Sequence, residues 1–598
     1  MRQYKGSAVR VAVIAMGLSV SLVSSPSWAN PVESTPSKTA VYGAVAVPRP
    51  VEGSRTNAQT AQGGEPLERN NTTTVPAEER GLVIREYVVE GNTILPEEQL
   101  NEILNKHKGD KKTIKDIEKA RGEVEKAYHD LGYPTVLVVV PEQTIESGTV
   151  RILVVEGKVE QIAVTDNRYY SRYNILGKLP SIKIGEILRE KDLVKELDAL
   201  NANPDLKVVP LLKPGSEQGL VNVELKTKDR LPLHVSVQGD NQGSVTTPRD
   251  RLTVQAQYTN LWDRDHILNI QTIQTPTDWG KVQTYGISYV APIRWPDHLF
   301  SVYYSHTQST SALASASLGV GGGDVSIAGN ATVAGFRYSF PLFSSPKSVH
   351  QLSIGADFKR LEETTATFPA GLGTATVLTP IQYTPVSAAY NAAIADDWGQ
   401  TRLSATAKGY ASVVPGGKED DFAQIRKGST GTFAVLQGSL ERSHDLPWGM
   451  NLLLHADGQW ASQPLVVTEQ YFAGGMDTVR GYIQYETLGD ESVRGRAELT
   501  TPDLLPIPID RIWQRRRSSD WEINWKLAAF YDAANLWVKD APQGQRDQFR
   551  IESTGWGLRV RMPKNVGTLR IDQGFALQNG TVTQRGNTFV HFVVNVAY

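Results

Sequence analysis

Two charged residues, far apart in the chain, have the chemistry of a fixed ion pair. Arg480 follows two glycines in the stretch Gly474–Tyr482, which lies in a long loop between two strand-like runs. A guanidinium group is a planar fork of donors and suits a carboxylate that is held in one place. Asp532 is an isolated acid in the apolar run Ala528–Ala534, where an unpaired charge is costly to bury. The two residues are therefore predicted to pair; the alternative is that Arg480 is an ordinary solvated loop arginine.

The sequence around this predicted pair resembles a known family. Two motifs carry the likeness: Val479, Arg480, Gly481 and Tyr482 in the loop, and Phe530 and Asp532 in the later strand. Both are similar to motifs of the outer-membrane transporters of two-partner secretion, whose superfamily also includes the outer-membrane protein insertases. The resemblance implies a loop that folds back into a β-barrel, where Arg480 meets Asp532 in the lumen. Ala534 stands where the family usually has glycine. This difference affects how closely another backbone could approach at residue 534, but it does not affect the predicted ion pair.

Composition excludes several functional classes. The 598 residues include 62 basic and 64 acidic ones, so no global field points to nucleic acid as a partner. The absence of cysteine excludes disulfides, thiolate metal sites and cysteine nucleophiles. The ten histidines show no zinc-ligand spacing, and no catalytic motif was found, so neither an enzyme nor a cofactor or metal site is predicted. Mildly negative mean hydropathy excludes a helical membrane bundle but allows a barrel, whose strands alternate lipid-facing and lumen-facing residues.

The N-terminal region has the pattern of an exported protein. Residues 1–29 combine a basic start, a short apolar core (Val11–Val23) and a small-residue cleavage site at Ser27–Ala29, which predicts a secretory signal. The alternative is a membrane anchor that is retained. Residues 30–81 are rich in Pro, Ser, Thr, Gly and Asn and are predicted to be a flexible linker. Members of the family that this sequence resembles often have a plug helix at this point. The apolar patch Thr39–Val47 leaves open whether this chain has one.

Two α+β modules are predicted next, at residues 82–157 and 158–229. In the first, a strand at Val83–Glu90 precedes two helices and two further strands, in the order β-α-α-β-β. The second helix is predicted to be capped by Thr113 and Asp116. Its inward face is predicted to comprise Ile114, Ile117, Val124, Ala127 and Leu131. The second module repeats the order more loosely, with a helix predicted at Ile187–Leu200.

The tandem modules resemble the periplasmic POTRA domains of the same family. Their exposed sheet edges could receive an unfolded exported chain as an extra strand, largely through backbone hydrogen bonds. The alternative is that the modules are passive spacers.

Residues 230–598 are predicted to form the barrel, with the inward-folded loop at 461–492. Roughly sixteen alternating runs separated by turns predict an antiparallel outer-membrane barrel with an even number of strands. The last run places a set of apolar residues on one face and ends on an aromatic: Val590, Phe592, Val594, Val596 and Tyr598. Four of these, Phe592, Val594, Val596 and Tyr598, resemble the terminal signal by which barrel proteins are recognised for membrane insertion.

The resemblance implies a function. The expected protein is a pore in the outer membrane of a Gram-negative bacterium that binds an unfolded partner exoprotein through its periplasmic POTRA modules. It would pass this partner, a large adhesin or haemolysin-like protein, to the cell surface without nucleotide hydrolysis. Outer-membrane lipid and the barrel-assembly machinery are further expected partners. The main alternative is an insertase of other barrels, although insertases commonly carry more than two modules. A simple diffusion porin is a third class, but small solutes need no strand-capturing edges.

Overall fold

A computed structural model describes most of the chain from residue 81 to residue 597. Within this range the description omits residues 146, 245–246, 295–297, 315–323, 346, 363, 368–373, 379, 412–416, 505–506, 509–521, 542–545 and 564–565. The predicted signal (1–29), the predicted linker up to residue 80 and Tyr598 lie outside the described residues. None of the described helices has the length and apolar character that a membrane span requires. The chain divides after Leu231 into two compact units, which are described separately.

The first module is built on a three-stranded sheet with two helices. Its elements are β1 (Leu82–Ile84), β2 (Glu86–Glu90), α1 (Glu97–Asn105), β3 (Gly109–Lys112), α2 (Ile114–Asp130), β4 (Val136–Val139) and β5 (Thr149–Glu156). The sheet has the order β2-β5-β4, with β2 parallel and β4 antiparallel to the central β5. The apolar faces of α1 and α2 pack with this sheet into one core.

Local signals fix the ends of α2 as the sequence predicts. The Thr113 backbone N–H donates to Asp116 Oδ2 at 2.9 Å in a capping box, which satisfies donors that the first helical turn leaves free. Gly132, at φ +92°, follows the last turn in a conformation that favours glycine. Ile117, Val124 and Ala127 are buried, as predicted.

Three details of the modules differ from the sequence prediction. The predicted strand Val83–Glu90 is two strands, because β1 pairs with β3 while the N–H groups of Arg85 and Glu86 both donate to the Gly148 carbonyl. Ile114 and Leu131 are exposed rather than inward, since Ile114 is the first residue of α2 and Leu131 is the cap that follows its last residue, beyond the central residues that pack in the core. In the second module the long helix begins at Glu190 rather than Ile187, because Ile187 pairs as an isolated bridge with Lys158.

The second module repeats the sheet pattern of the first. Its elements are β6 (Lys158–Thr165), α3 (Arg172–Gly177), α4 (Glu190–Leu200), β7 (Leu206–Pro214) and β8 (Leu220–Asp229). The sheet order is β6-β8-β7, with β6 parallel and β7 antiparallel to β8. Leu193, Leu197 and Leu200 form the buried face of α4. In both modules the central strand is thus the last in sequence, and the two outer strands are edges.

From Pro232 onward the described residues are mostly in β-strands. The strands are β9 (Leu233–Asp240), β10 (Arg251–Leu261), β11 (His266–Gln274), β12 (Val282–Arg294), β13 (His298–Ala314), β14 (Asp324–Ser344), β15 (Ser348–Leu361), β16 (Thr364–Thr367), β17 (Thr374–Leu378), β18 (Ile381–Tyr383), β19 (Val386–Asp396), β20 (Gly399–Tyr410), β21 (Phe433–Asp445), β22 (Asn451–Ala461), β23 (Tyr471–Ala473), β24 (Thr487–Gly489), β25 (Glu491–Thr500), β26 (Ile507–Pro508), β27 (Glu522–Trp537), β28 (Gln548–Arg561), β29 (Gly567–Ala576) and β30 (Thr588–Ala597). One helix, α5 (Glu419–Ile425), lies between β20 and β21.

Sixteen long antiparallel strands close into a barrel, which confirms the predicted fold class. The wall strands are β9 to β15, β19 to β22, β25 and β27 to β30. The barrel closes where β30 pairs with β9, from Val593 opposite Asp240 to Ala597 opposite Ser236. Side chains alternate between the two surfaces of the wall: along β27, Phe530, Asp532 and Ala534 are buried, whereas Tyr531 is 45% exposed. The buried set faces inward.

Candidate functional site

The loop between β22 and β25 folds back into the barrel. Its two limbs form a short hairpin, β23 with β24, and its tip runs from Gly474 to Glu486. Gly474, Gly475 and Gly481 have φ values of +107°, +104° and +85°, a region that favours glycine. These glycines allow the tip to bend so that residues 479–482 reach inward-facing side chains of the wall.

Arg480 at the tip is fully buried and lies against Asp532 of β27. Its Nε donates to Asp532 Oδ2 at 2.7 Å and its Nη2 donates to Oδ1 at 2.8 Å, so the pair is bidentate. The Arg480 backbone N–H donates to Oδ2 as well, at 3.1 Å. The guanidinium carbon lies 3.5 Å from the centre of the Phe530 ring, within reach of a cation–π contact. Both motif residues of β27 therefore contact the same guanidinium group.

Two further acids surround Arg480. Its Nη1 donates to Glu498 of β25 and lies 3.5 Å from Asp572 of β29. Glu498 and Asp572 also accept from Arg559 of β28, at 2.9 Å and 2.5 Å. Acids of β25, β27 and β29 thus lie close to Arg480 and Arg559, which reduces the cost of removing each charge from water.

The wall in turn holds the backbone of the tip. Arg496 of β25 donates through Nη2 to the carbonyl oxygens of Met476 and Thr478, both at 3.0 Å, and through Nε to Asp532 Oδ1 at 3.1 Å. Arg494 donates to the Asp477 carbonyl at 2.7 Å. The contact is reciprocal, because the loop cation meets wall acids while wall cations meet loop carbonyls.

The other three loop-motif residues complete the contact. Val479 is buried with Ala534, Leu536, Ile551 and Ala576 in an apolar cluster. The Tyr482 hydroxyl lies 2.9 Å from the Glu552 carbonyl oxygen and 2.8 Å from that of Gln578, where it can donate to either. The Gly481 N–H donates to His591 Nε2 on β30 at 3.1 Å. The tip therefore reaches the last wall strand.

Gly481 meets a second glycine across the interface. A Cβ placed on Gly574 of β29 would lie 2.4 Å from the Gly481 nitrogen, closer than van der Waals contact permits. The loop and wall backbones therefore approach closely at Gly574, whereas Ala534 is buried in the apolar cluster with Val479.

Several residues of the site were not predicted from the sequence: Glu498, Asp572, Arg494, Arg496, Gly574 and His591. Glu498 lies in a strand that also contains Glu491, Arg494 and Arg496, so it does not stand out as Asp532 does in its apolar run. Asp572 follows the alternating run Leu569, Ile571 on β29 and becomes recognisable once the strand faces are known. Gly574 carries no comparable signal, because its role depends on which residue lies opposite.

The described residues of the predicted insertion signal lie on the outer surface of β30, and Tyr598 lies outside the described residues. Phe592 and Val596 are 40% and 44% exposed, whereas His591 and Val593 of the same strand are buried. Val594 lies between Phe592 and Val596 in the alternation and shares their face. These residues are not part of the Arg480 site, since they face away from the lumen.

Two family models match this chain. The model described as "POTRA domain, ShlB-type" matches residues 82–157, and "Haemolysin secretion/activation protein ShlB/FhaC/HecB" matches residues 219–514. Together they cover more than half of the chain. The second match includes the loop with Arg480 but ends before Asp532.

Curated relatives match over shorter stretches. The chain is 28% identical over 171 residues to the Heme/hemopexin transporter protein HuxB of Haemophilus influenzae (strain 86-028NP), covering 27% of this chain and 29% of that protein. It is 27% identical over 149 residues to the Outer membrane transporter CdiB of Dickeya dadantii (strain 3937), covering 25% of this chain and 26% of that protein. The chain thus spans less than a third of the length of these relatives.

Solved structures share the fold over most of the chain. CdiB from Escherichia coli superimposes with a TM-score of 0.59 at 17% identity, covering 89% of this chain and 93% of the other. BamA from Haemophilus ducreyi, lacking POTRA domains 1–3, gives 0.53 at 14% identity, covering 86% and 100%. From the two family matches, the modules and the closed barrel, we conclude that the chain belongs to the ShlB/FhaC/HecB family of haemolysin secretion/activation proteins.

Proposed function

We propose that this protein is a pore that carries an unfolded partner exoprotein across the outer membrane. The observation that carries the proposal is the loop with Arg480, which occupies the barrel interior through a buried bidentate pair with Asp532. A loop held in this way occupies part of the path through the barrel. Family membership supports a transporter, and the partner class, a large adhesin or haemolysin-like exoprotein, follows from the resemblance.

The modules would receive the exoprotein in the periplasm. Each has a three-stranded sheet with two edge strands, β2 and β4 in the first module and β6 and β7 in the second. An extended chain can add to such an edge through backbone hydrogen bonds, which depend little on its sequence. This mode of binding suits a partner that arrives unfolded.

The barrel would then conduct the chain past the loop to the surface. The proposed transport uses no nucleotide and no catalytic residue, because folding of the exoprotein outside would prevent its return. Arg480 and Asp532 would gate or shape the path by fixing the loop tip. We propose the domain bounds 1–29, 30–81, 82–157, 158–229 and 230–598, with the gating loop at 461–492, as the working division of the chain.

The test compares secretion by variants of the ion pair. The strain expresses this protein together with its partner exoprotein. Arg480→Ala and Asp532→Ala should each lower the amount of exoprotein in the medium. The barrel should still insert, because the backbone pairing of the wall strands is untouched. Arg561→Ala is a matched control, since Arg561 is an exposed arginine at the end of β28. Immunoblots of medium and outer membrane provide the two measurements.

Unchanged secretion in both variants would count against the gating role. Deletion of the gene separates the other functions: loss of one exoprotein supports secretion, whereas a general loss of barrel proteins from the outer membrane would identify an insertase. A change confined to the uptake of small solutes would instead identify a diffusion porin.

A further inference from the structure

A second charged cluster holds the same loop at its other end. We call it the neck cluster; it comprises Glu469 of the loop, Lys359 of β15, Lys408 of β20 and Tyr383 of β18. Glu469 ends a short 3₁₀ turn, Val467–Glu469, before the limb continues toward the tip. Nothing in the motifs around Arg480 or Asp532 involves these residues.

Glu469 is as deeply buried as Arg480. Its side chain is 0% exposed, and its Oε1 accepts from Lys359 Nζ at 2.6 Å and from the Tyr383 hydroxyl at 2.6 Å. Lys408 Nζ contacts the other carboxylate oxygen, and each lysine side chain is only 15% exposed. A carboxylate removed from water to this extent is stable as a charge only while its cations stay in place. The limb at residue 469 is therefore fixed to the wall.

The two clusters fasten the loop to different parts of the cylinder. Counted from β9, Lys359 and Lys408 lie on the seventh and ninth wall strands, whereas Asp532 and Asp572 lie on the thirteenth and fifteenth. The loop leaves the wall after the eleventh strand and rejoins it at the twelfth. The two attachments thus lie on either side of the strands that the loop connects, so the loop spans part of the lumen.

Packing and hydrogen bonds support the neck. Leu465 and Val466, both buried, lie in an apolar cluster with Tyr383, Tyr410, Phe422 and Phe433. Gln459 of β22 donates through Nε2 to the carbonyl oxygens of both Glu469 and Asp490, at 3.0 Å each, and so joins the two limbs. Arg426, just after α5, makes a bidentate pair with Asp490 at 2.5 Å and 2.6 Å.

We propose that the neck cluster is a second anchor of the loop, with Glu469 as its positioning residue, and that it holds the neck independently of Arg480. This inference rests on the proposed function only for its consequence in transport, namely that both anchors must yield for the path to open fully. The attachment itself is a property of the folded barrel and can be measured without an exoprotein.

Single-cysteine reporters test the proposal, and the chain has no native cysteine to interfere. Val466→Cys reports on the neck and Met476→Cys on the tip, since both side chains are buried. In the purified full-length protein, Glu469→Gln should raise the rate at which a water-soluble maleimide labels the neck reporter about tenfold or more, because two buried lysines lose their anion. The tip reporter should remain protected. Arg480→Ala should give the reverse pattern.

Changes on the wall side keep the proposal falsifiable if Glu469→Gln fails to fold. Lys359→Met with Lys408→Met leaves the loop sequence intact and should expose the same neck reporter. Glu441→Gln is the matched control, because Glu441 pairs with Arg402 between two wall strands, at 2.6 Å. Heat-modifiable migration on gels confirms that each barrel is closed.

Protection of the neck reporter in both the Glu469 and the lysine variants would overturn the proposal. Exposure of both reporters in every variant would also overturn it, because the two ends would then be released together. If the labelling follows the expected pattern but secretion does not change, the anchor stands and the gating role in the proposed function fails.

Discussion

The tip and the neck of the loop are fastened to the wall with opposite chemistry. At the tip a loop cation, Arg480, meets wall acids, whereas at the neck a loop anion, Glu469, meets wall lysines. Arginine presents a rigid planar fork that matches Asp532 through two parallel bonds, while a lysine ammonium is a compact charge on a flexible stem. The comparison indicates that the tip depends on the shape of its cation and the neck mainly on charge.

The largest expected effect comes from exchanging the two kinds of cation while keeping their charge. Arg480→Lys should destabilise the tip by about 3 kcal/mol, because lysine cannot reproduce the bidentate geometry at a fully buried site. Lys408→Arg should cost no more than about 1 kcal/mol, since Lys408 contacts a single carboxylate oxygen. Thermal melts in detergent, combined with the tip and neck reporters, measure both. Equal losses in the two variants would remove the distinction between shape and charge.

A steric change at the tip should have the next largest effect. Gly574→Ala places a methyl group against the Gly481 backbone and should cost about 1–3 kcal/mol or displace the tip. The control is Gly438→Ala on β21, where an added Cβ would meet nothing within 4 Å. Labelling of the Met476→Cys reporter should rise for the first substitution alone. A protected tip in Gly574→Ala would show that the two backbones can separate without loss of the ion pair.

The smallest expected effect concerns one hydrogen bond at the neck. Tyr383→Phe removes the hydroxyl that donates to Glu469 and should weaken the neck by about 1 kcal/mol, while both lysines remain. Neck labelling should therefore rise only about fivefold, given that 1.4 kcal/mol corresponds to a factor of ten. Tyr338→Phe is the control, since its hydroxyl pairs with His298 between β13 and β14. A rise as large as that of Glu469→Gln would mean that the hydroxyl, and not charge, holds the neck.

Much of the barrel could be predicted from alternation alone. Each of the sixteen wall strands contains or overlaps a predicted run, because a wall with one apolar and one polar surface imposes a period of two on every strand. The strand boundaries of the two modules were harder to predict from the sequence. The division at Arg85 depends on a carbonyl from Gly148, and nothing in the sequence near Arg85 indicates that partner.

The candidate site divides in a similar way. Arg480 and Asp532 could be singled out because each is unusual in its own segment, a loop arginine after paired glycines and an acid in an apolar strand. Glu469 could not, because a single acid in a loop is ordinary until the fold places Lys359 and Lys408 beside it. Gly574 is likewise recognisable only once Gly481 lies opposite. Residues defined by their surroundings require the structure.

The bond pattern of Gln459 has a consequence for how the loop can move. Because one wall amide holds the outgoing limb at Glu469 and the returning limb at Asp490, the limbs cannot swing apart from each other while it is in place. If the tip were released from Asp532, the loop would pivot about the Gln459 side chain. The length of chain beyond residue 469 then limits how far the tip can move. The loop would reach only part of the lumen and would stay attached to β22.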